Sequence, residues 1–485
     1  MRSPACGRWL ALTALAGAFL FGLLLQRPAQ AGGPLDVGGG QPPNLGADGV
    51  PFTWRLSPDG GLVSGGQIQY RTDGGGLGVL ANATANTRVE GMFQVWEDVP
   101  TSNIAFNRAG ALLVTGAFTD GNVTSGPEFD AVLDSCSESH PQAQNPIIYD
   151  ADGSLFTALG LPSGVIGFAG ACELASDGVT NRIAAAVAAL NGKFRDGNAG
   201  NGELTDNEFD GVFIHEFGHL FGLDHSQINL NCLTSAASCP NGSDDLFGLP
   251  TMFPFLLGGR EETPGVHPAR TLSLDDRAWV SRLYPDASFN SSFGTVSGTI
   301  LFSDGQTHFQ GANVVARQVD DPMTPEDESR RNAVSCVSGY LFTINTGQSV
   351  TGNNPGSLFG SRNPLNYGRY DIPVPGGTYT VEVESIHPAF LGGSRVGPVG
   401  DLGFQYPVPA EFFSDPETDS DNPADSAPVS VLNGAATAGI DIILNGTAPR
   451  FDQFESSDIV HLRWNLPPPA WVRREHRLSQ PMAAA

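Results

Sequence analysis

The feature that most constrains this chain is the stretch 215–225, which reads H-E-x-x-H-x-x-G-x-x-H. On a helix, His215 and His219 are four residues apart, so both imidazoles leave the same face about one turn apart. Gly222 tolerates the positive φ that ends a helix sharply, and the turn there brings His225 back toward the other two. Three neutral imidazoles leave a fourth tetrahedral position open, as in catalytic zinc sites. Glu216, next to a ligand, can accept a proton from a metal-bound water.

A chain can contain H-E-x-x-H without binding a metal, because an amphipathic helix can bury histidines that are hydrogen-bonded. The longer motif makes this explanation weak, since a glycine and a third histidine also fall in register. The stretch therefore predicts a metal centre with His215, His219 and His225 as ligands and Glu216 beside them.

The composition limits the class of partner. The chain has 485 residues, enough for two or three domains at roughly 100–200 residues each. It carries 51 acidic against 25 basic residues, a formal net charge of -26, which argues against a nucleic-acid partner. Its 61 glycines and 36 prolines are typical of a loop-rich β protein. We expect a monomer that acts on a protein or peptide.

The N-terminus has the pattern of a secretory signal peptide. Arg2 and Arg8 form a positive region, an apolar run covers 9–25, and Ala29-Gln30-Ala31 matches a cleavage site. The pattern predicts a mature chain that begins near Gly32, a secreted location and no membrane span after signal removal. The alternative is a retained membrane anchor, because the apolar run is slightly long for a signal peptide.

Cysteine usage suits an exported protein. Cys6 leaves with the signal, and after export the remaining thiols can pair. We predict two disulfides and one leftover thiol, although sequence alone cannot fix connectivity. The predicted pairs are Cys136 with Cys172 and Cys232 with Cys239, and the leftover thiol is Cys336.

Hydrophobic periodicity predicts the elements of the first half of the chain. Helices are expected over 87–99 and 270–284, the second with Ser273 as its N-cap. A capping box of Thr205 and Glu208 begins the helix that contains the metal motif. The Ala-rich run 183–190 suits either a strand or a helix and is taken as a strand. The other predicted strands are 67–71, 111–114, 146–149 and 164–169.

A glycine-rich loop precedes the capped helix and resembles a calcium loop. Its candidate ligands are Asp196, Asn198, Asn201 and Glu208, but the early acidic positions do not fit the spacing of an EF-hand. A glycine-rich turn without calcium is the favoured alternative.

The hydrophobic pattern changes in the second half of the chain. Short alternating strands are expected over 294–301, 312–318, 370–374, 378–384, 427–432 and 439–444. They predict a β-sandwich that covers 294–446. Residues 32–49 are expected to be an extended leader, and 447–485 a mobile tail.

Residues 50–287 resemble the matrixin branch of the metzincin zinc peptidases. The resemblance depends on features in a fixed order: the metal motif followed by Ser226, Met252 with Pro254, and the flanking motifs. Those flanking motifs are F-Q-V-W-E-D-V at 93–99, L-S-L-D-D at 272–276 and L-Y-P at 283–285.

The resemblance implies an α+β fold and a set of site residues. The catalytic domain would have a twisted mixed sheet and three main helices, followed by the all-β sandwich. His215, His219 and His225 would bind Zn²⁺, Glu216 would be the general base, and Met252 would pack in a turn beneath the metal. An edge strand would align the substrate, and a hydrophobic pocket would select it. The edge strand would include Ile166, Gly167, Phe168 and Ala169, and the pocket wall Pro254 and Phe255.

Residues 294–446 resemble the regulatory-like, prealbumin-type sandwiches of carboxypeptidases. The supporting residues are Gly298-Thr299-Ile300, Gly311-Ala312-Asn313-Val314 and G-G-T-Y-T-V at 376–381. Such modules perform no chemistry of their own.

Two functions remain open from the sequence. The first is a secreted zinc metalloendopeptidase that hydrolyses internal peptide bonds. No cysteine-switch sequence precedes residue 50, so latency through a cysteine ligand is not expected. The second is a secreted binding or adhesion protein in which the sandwich acts and the metal domain is vestigial.

Overall fold

The computed structural model describes 32–38, 46–47, 49–226, 228, 248–256, 268–309, 312–324, 327–339, 363–384, 411–419, 425–445 and 483–484. The predicted signal peptide, Cys232, Cys239 and nearly all of the predicted tail lie outside these residues. No helix of the described residues has the length and apolar character needed to cross a membrane.

The described residues form seven α-helices and seventeen strands. The helices are α1 (Asn82–Glu97), α2 (Gly126–Asp134), α3 (Ser154–Ala158), α4 (Asp206–Leu220), α5 (Leu274–Leu283), α6 (Phe289–Ser292) and α7 (Glu328–Arg331). The strands of the first half are β1 (Val63–Ser64), β2 (Gln67–Thr72), β3 (Phe106–Ala111), β4 (Pro146–Asp150), β5 (Gly167–Ser176), β6 (Asn181–Asn191) and β7 (Phe255–Leu256). Those of the second half are β8 (Phe293–Leu301), β9 (Asn313–Gln318), β10 (Ala333–Val337), β11 (Arg369–Pro375), β12 (Gly377–Glu384), β13 (Glu411–Phe412), β14 (Val429–Val431), β15 (Ala436–Ala438), β16 (Ile442–Ile443) and β17 (Ala483–Ala484).

The first half contains a six-stranded mixed sheet. Its order is β1-β2-β4-β6-β5, and β3 also pairs with β2. Strands β2, β3, β4 and β6 run parallel, whereas β5 runs antiparallel to β6. Within the described residues β5 has a strand neighbour on one side only, so it is an edge of this sheet.

The second half contains two further sheets. One has the order β10-β9-β12-β13, with β14 pairing to β12, and the other has the order β11-β8-β15, with β16 pairing to β8. Val296 and Ile372 of one sheet and Val314 and Val381 of the other belong to one buried apolar cluster. The chain is therefore α+β, as predicted, with several mixed sheets and few helices.

Aromatic packing holds the motif helix α4 in place. The Phe93 ring of α1 stacks on the Phe217 ring, with centroids 3.8 Å apart. Trp96 of α1 donates its indole N–H to the Ile214 carbonyl at 2.9 Å. Because Phe93 and Trp96 are three residues apart on α1, both reach α4 from the same face.

Several predicted elements are confirmed, and others differ. The strands over 67–71, 146–149 and 183–190 and the capped helix α4 are present. The strand expected over 111–114 is wrong, because β3 covers Phe106–Ala111 and only its last residue overlaps. The helix expected over 87–99 begins five residues earlier, at Asn82, and the helix expected over 270–284 begins at Leu274. Helices α2 and α3 were not predicted.

In the second half, all six predicted strands overlap strands of the structure, namely β8, β9, β11, β12, β14 and β16. Strand β10 was not predicted. Its sequence A-V-S-C-V does not alternate, because all five residues are buried.

The structure contains one of the predicted disulfides. Cys136 and Cys172 are joined, and Cys336 is a buried free thiol. Cys172 lies at an irregularity of β5, so the bond ties this strand to the turn after α2.

The described part of the predicted leader, residues 32–49, packs against the metal motif rather than extending away from it. Leu35 and Val37 are buried, and Pro34 forms an antiparallel bridge with Leu223 in the metal motif. The structured part of the chain therefore begins before residue 50.

Candidate metal centre

Local sequence explains why the motif helix begins and ends where it does. The Thr205 hydroxyl accepts the Glu208 N–H, and the Glu208 carboxylate accepts the Thr205 N–H at 2.7 Å, which completes the capping box. After Leu220 the chain turns at Gly222, whose φ of 100° disfavours any residue with a Cβ. This turn returns the chain to the ligand face of the helix.

The three motif histidines converge. Their Nε2 atoms form a triangle in which each pair is 3.1 Å apart. Three nitrogens at this separation can share one cation at about 2.0–2.1 Å from each. Among the described residues, this is the only group of histidine, cysteine and acidic side chains close enough to hold a metal ion.

Hydrogen bonds to backbone carbonyls orient two of the imidazoles. His215 Nδ1 donates to the Thr251 carbonyl and His219 Nδ1 to the Leu223 carbonyl, both at 2.8 Å. With the proton on Nδ1, each Nε2 points its lone pair into the triangle. Lone pairs facing one another repel unless a cation lies between them, so the donor set fits a metal.

Burial keeps these imidazoles neutral. It lowers the pKa of His219 to about 4 and holds the pKa values of His215 and His225 well below their ordinary range. The neighbouring histidines lower the pKa values of His215 and His225 further. Near pH 7 all three are therefore in the form that a metal requires.

Glu216 lies against the start of β5. Its side chain is 0% exposed, and a Cβ built at Gly167 would lie 2.8 Å from its Cγ and 2.9 Å from its Oε1. The absence of a side chain at Gly167 therefore gives the carboxylate its position. The buried carboxylate lies one residue from a ligand, where a proton acceptor for a metal-bound water is needed.

Met252 packs beneath the ligand helix. A Cβ built at Gly218 would lie 2.3 Å from its Sδ, so this glycine gives the thioether room between the two helical ligands. The Asp276 carboxylate accepts the N–H groups of Thr251 at 2.8 Å and Met252 at 3.0 Å. The Met252 carbonyl accepts the Ser226 N–H at 2.8 Å. The turn is thereby tied both to α5 and to the residue after His225.

The structure distributes the predicted substrate residues over several places. Gly167, Phe168 and Ala169 begin the edge strand β5, and Ile166 precedes it. The Phe168 ring packs against Phe156 in the core, at 5.3 Å between centroids, so only its backbone can meet a ligand. Pro254 is buried, and Phe255 lies in β7 with its ring 6.2 Å from that of Phe253.

The four calcium candidates have other partners. Asn201 donates its amide to Asp196 at 2.6 Å, and Asn198 accepts the Gly200 N–H at 3.0 Å. Glu208 belongs to the capping box and is buried. The arrangement matches the turn before a capped helix, and the calcium hypothesis gains no support from it.

Sequence reasoning missed the contacts that hold the third ligand. Gly32 donates its N–H to the His225 carbonyl at 2.5 Å, and Leu35 donates to the Gly222 carbonyl at 2.7 Å. In return, the Asp224 N–H donates to the Gly33 carbonyl at 3.0 Å. These bonds join backbone groups, which no side chain in the leader signals.

A scan against models of known protein families found no match, and no curated protein matches the chain. The function must therefore be inferred from the site itself.

Proposed function

We propose that this chain is a secreted zinc-dependent metalloendopeptidase that hydrolyses internal peptide bonds. The observation that carries the proposal is the triangle of three Nε2 atoms, 3.1 Å apart, on a helix that also bears Glu216. The proposal includes a metzincin-type catalytic domain of the matrixin branch, followed by a regulatory-like sandwich. The signal-peptide pattern supports export.

The residues of the site have distinct roles in this mechanism. His215, His219 and His225 hold the metal in an electrically neutral set of ligands. When zinc is bound, it lowers the pKa of a coordinated water to about 7 and polarises the peptide carbonyl. Glu216 accepts the proton that the water loses as it attacks, and then donates this proton to the departing amine.

The edge strand β5 supports the choice of a peptide as substrate. The edge of β5 that has no strand neighbour among the described residues begins at Gly167, beside the Glu216 carboxylate, and can add an extended peptide by β-augmentation. Such pairing reads the backbone of the substrate and suits cleavage within a chain.

Substitution of Glu216 and of one ligand tests the proposal. Glu216→Ala should retain zinc and lose roughly 10²–10⁴-fold in kcat, because it removes only the proton acceptor. His219→Ala should lose both zinc and activity. Zinc content is measured by metal analysis, and activity with casein or a quenched peptide, with and without a chelator. His308→Ala, a histidine of the sandwich, is the matched control and should change neither.

Three outcomes would contradict the proposal. Activity that survives a strong chelator would exclude zinc dependence, and a Glu216→Ala protein as active as the parent would exclude the proton acceptor. A parent protein that binds zinc but cleaves no peptide would favour the adhesion alternative, in which the metal domain is vestigial.

A further inference from the structure

Helix α5 forms two hydrogen bonds to the backbone of one residue of the sandwich, Ser335. The Asp275 carboxylate accepts the Ser335 N–H at 2.8 Å, and the Trp279 indole N–H donates to the Ser335 carbonyl at 2.9 Å. Asp275 and Trp279 are four residues apart, so they project from the same face of the helix. Both polar groups of one peptide residue are thus bound by two successive turns of α5.

This contact completes an otherwise open edge of the sandwich. Within the part of the chain that the structure describes, strand β10 is an outer strand of the five-stranded sheet, and its residue Ser335 stands opposite Val315 of β9. The Ser335 N–H and C=O point away from β9 and would lack partners without α5. The relative exposures of Ser335, Asp275 and Trp279 are 0%, 2% and 3%, so the contact is dry. A buried carboxyl group that accepts a backbone N–H is not an incidental surface contact.

The Asp275 carboxyl also lies against the loop that follows the third ligand, His225. The Ser226 side chain lies beside the Asp275 carboxyl and lowers its pKa, and Ser226 directly follows the third ligand, His225. The sandwich also touches this loop itself, because Ile228 packs with Val315 and Ala333 in a buried apolar cluster. Adjacent on α5, Asp276 fixes the Thr251–Met252 turn. The first turn of α5 therefore contacts both the loop after His225 and the Thr251–Met252 turn.

We propose that strand β10 is a positioning element of the metal centre: Ser335 holds Asp275, and Asp275 holds His225 in place through Ser226. This inference rests on the proposed function, since it concerns the same metal site. Metal affinity depends on how well the ligand geometry is preorganised, and groups behind the ligands contribute to it. The sandwich is accordingly a structural part of the metal centre rather than an independent module.

Proline at position 335 is the sharpest test. Ser335→Pro removes the N–H that Asp275 accepts, and a proline is tolerated on an outer strand where its nitrogen faces away from the ladder. Zinc affinity is measured by competition with a chromogenic chelator, and folding by thermal unfolding of the same preparation. We expect zinc to bind about tenfold more weakly to the folded variant. Trp279→Phe, which removes only the second bond to Ser335, should weaken zinc binding in the same direction by a smaller factor.

Two controls separate positioning from general stability. Ser335→Ala keeps the backbone N–H, and its hydroxyl has no hydrogen-bond partner in the described residues, so zinc affinity should be unchanged. Tyr370→Phe removes a buried hydrogen bond to the Ile440 carbonyl inside the sandwich and leaves both bonds to the Ser335 backbone in place. It should lower the unfolding temperature without changing zinc affinity.

The inference is overturned if both Ser335→Pro and Trp279→Phe fold and bind zinc as tightly as the parent. It is also overturned if Tyr370→Phe weakens zinc binding as much as Ser335→Pro does. A parent protein that binds zinc without cleaving peptides removes the peptidase proposal alone, because the affinity comparison stands on its own. A parent protein that binds no zinc overturns both.

Discussion

Gly167 and Glu216 illustrate how a residue without a side chain can set the position of a functional group. Real Cβ atoms essentially never approach heavy atoms as closely as the 2.8 Å that a Cβ at Gly167 would have to the Glu216 Cγ. Glu216 is fully buried, so its carboxylate cannot retreat into solvent. An added methyl group must therefore displace the carboxylate or the strand.

We predict that Gly167→Ala lowers kcat by about 10- to 100-fold, because a shift of about 1 Å in a proton acceptor is enough for such a loss. Zinc content should stay at the level of the parent, since the ligands are not touched. Gly164→Ala is the matched control, because a Cβ there would meet no atom within 4 Å. An active Gly167→Ala protein would show that the carboxylate has room to move.

The lowered pKa values of the ligand histidines predict that the metal-free protein loses stability as the pH falls. The pKa of His219 is about 4 in the folded chain against an ordinary 6.5, and those of His215 and His225 are also lowered. Between these values the unfolded chain binds more protons than the folded one. Stability should therefore be complete above pH about 6.5 and fall as the pH drops toward 4.

Chelator-treated protein, unfolded with urea at several pH values, measures this dependence. Replacing one ligand, as in His219→Ala, should reduce the slope between pH 4 and 6.5. A slope that is the same in the parent and in His219→Ala would exclude this histidine as a cause. Added zinc should raise stability most at neutral pH, because ligation requires neutral imidazole.

The residues that sequence could predict at this scale are those with a side chain of specific chemistry. The spacing of His215, His219 and His225 was sufficient to place all three on one site, as the 3.1 Å separations confirm. The acceptors that orient them, the carbonyls of Thr251 and Leu223, could not be predicted. Every residue has a carbonyl, so nothing in the sequence distinguishes these two.

Among the elements, α4 was the most predictable, because its cap, its apolar face and its terminating glycine all agree. Thr205→Ala should cost about 1 kcal/mol of stability, since it leaves the Glu208 N–H without its side-chain acceptor. Zinc content should not change, because Phe93 and Trp96 hold the ligand-bearing part of the helix. Urea denaturation measures the cost.

Thr87→Ala provides the matched control for this substitution. The Thr87 hydroxyl donates to the Ala83 carbonyl at 3.1 Å on the exposed side of α1. Such a bond within a helix contributes little, and alanine is the better helix former. Equal losses in Thr205→Ala and Thr87→Ala would mean that the cap does not stabilise α4.

Two elements show where local pattern fails. The strand expected at 111–114 was chosen for its apolar residues, whereas β3 runs through the polar residues Asn107 and Arg108. The leader gave no periodic signal, yet its backbone bonds to the loop of the third ligand. In both cases pairing with a distant segment decided the structure, and one-dimensional pattern contains no record of it.

At the scale of the whole molecule, the disulfide between Cys136 and Cys172 closes a loop with a sequence separation of 36. Loop-closure entropy for this length predicts a stabilisation of about 2–4 kcal/mol. The double replacement of both cysteines by serine should lose this amount, measured by urea denaturation. A reductant should bring the parent to the level of the double variant and leave that variant unchanged. A parent whose stability does not respond to reductant would contradict the prediction.

The α+β fold class was accessible from sequence, but the way the two halves of the chain meet was not. The sequence pattern predicted a sandwich over 294–446 and contained no signal for how it contacts the metal site. In the structure one apolar cluster includes Phe217 of the motif helix, Trp279 of α5 and Val296 of the sandwich. The hydrogen bonds at the joint involve the backbone of Ser335. A serine in a short unpatterned run gives no sign that its peptide groups will be used in this way.

Because α5 covers β10, producing the sandwich without the first half of the chain would expose this strand. A sandwich produced alone would present the outer N–H and C=O groups of β10 to water, with the apolar residues Val315 and Ala333 uncovered nearby. An uncovered outer strand of this kind can pair with the same strand of a second molecule. The separated half would tend to self-associate or aggregate, so its behaviour in isolation would misrepresent its role in the intact chain.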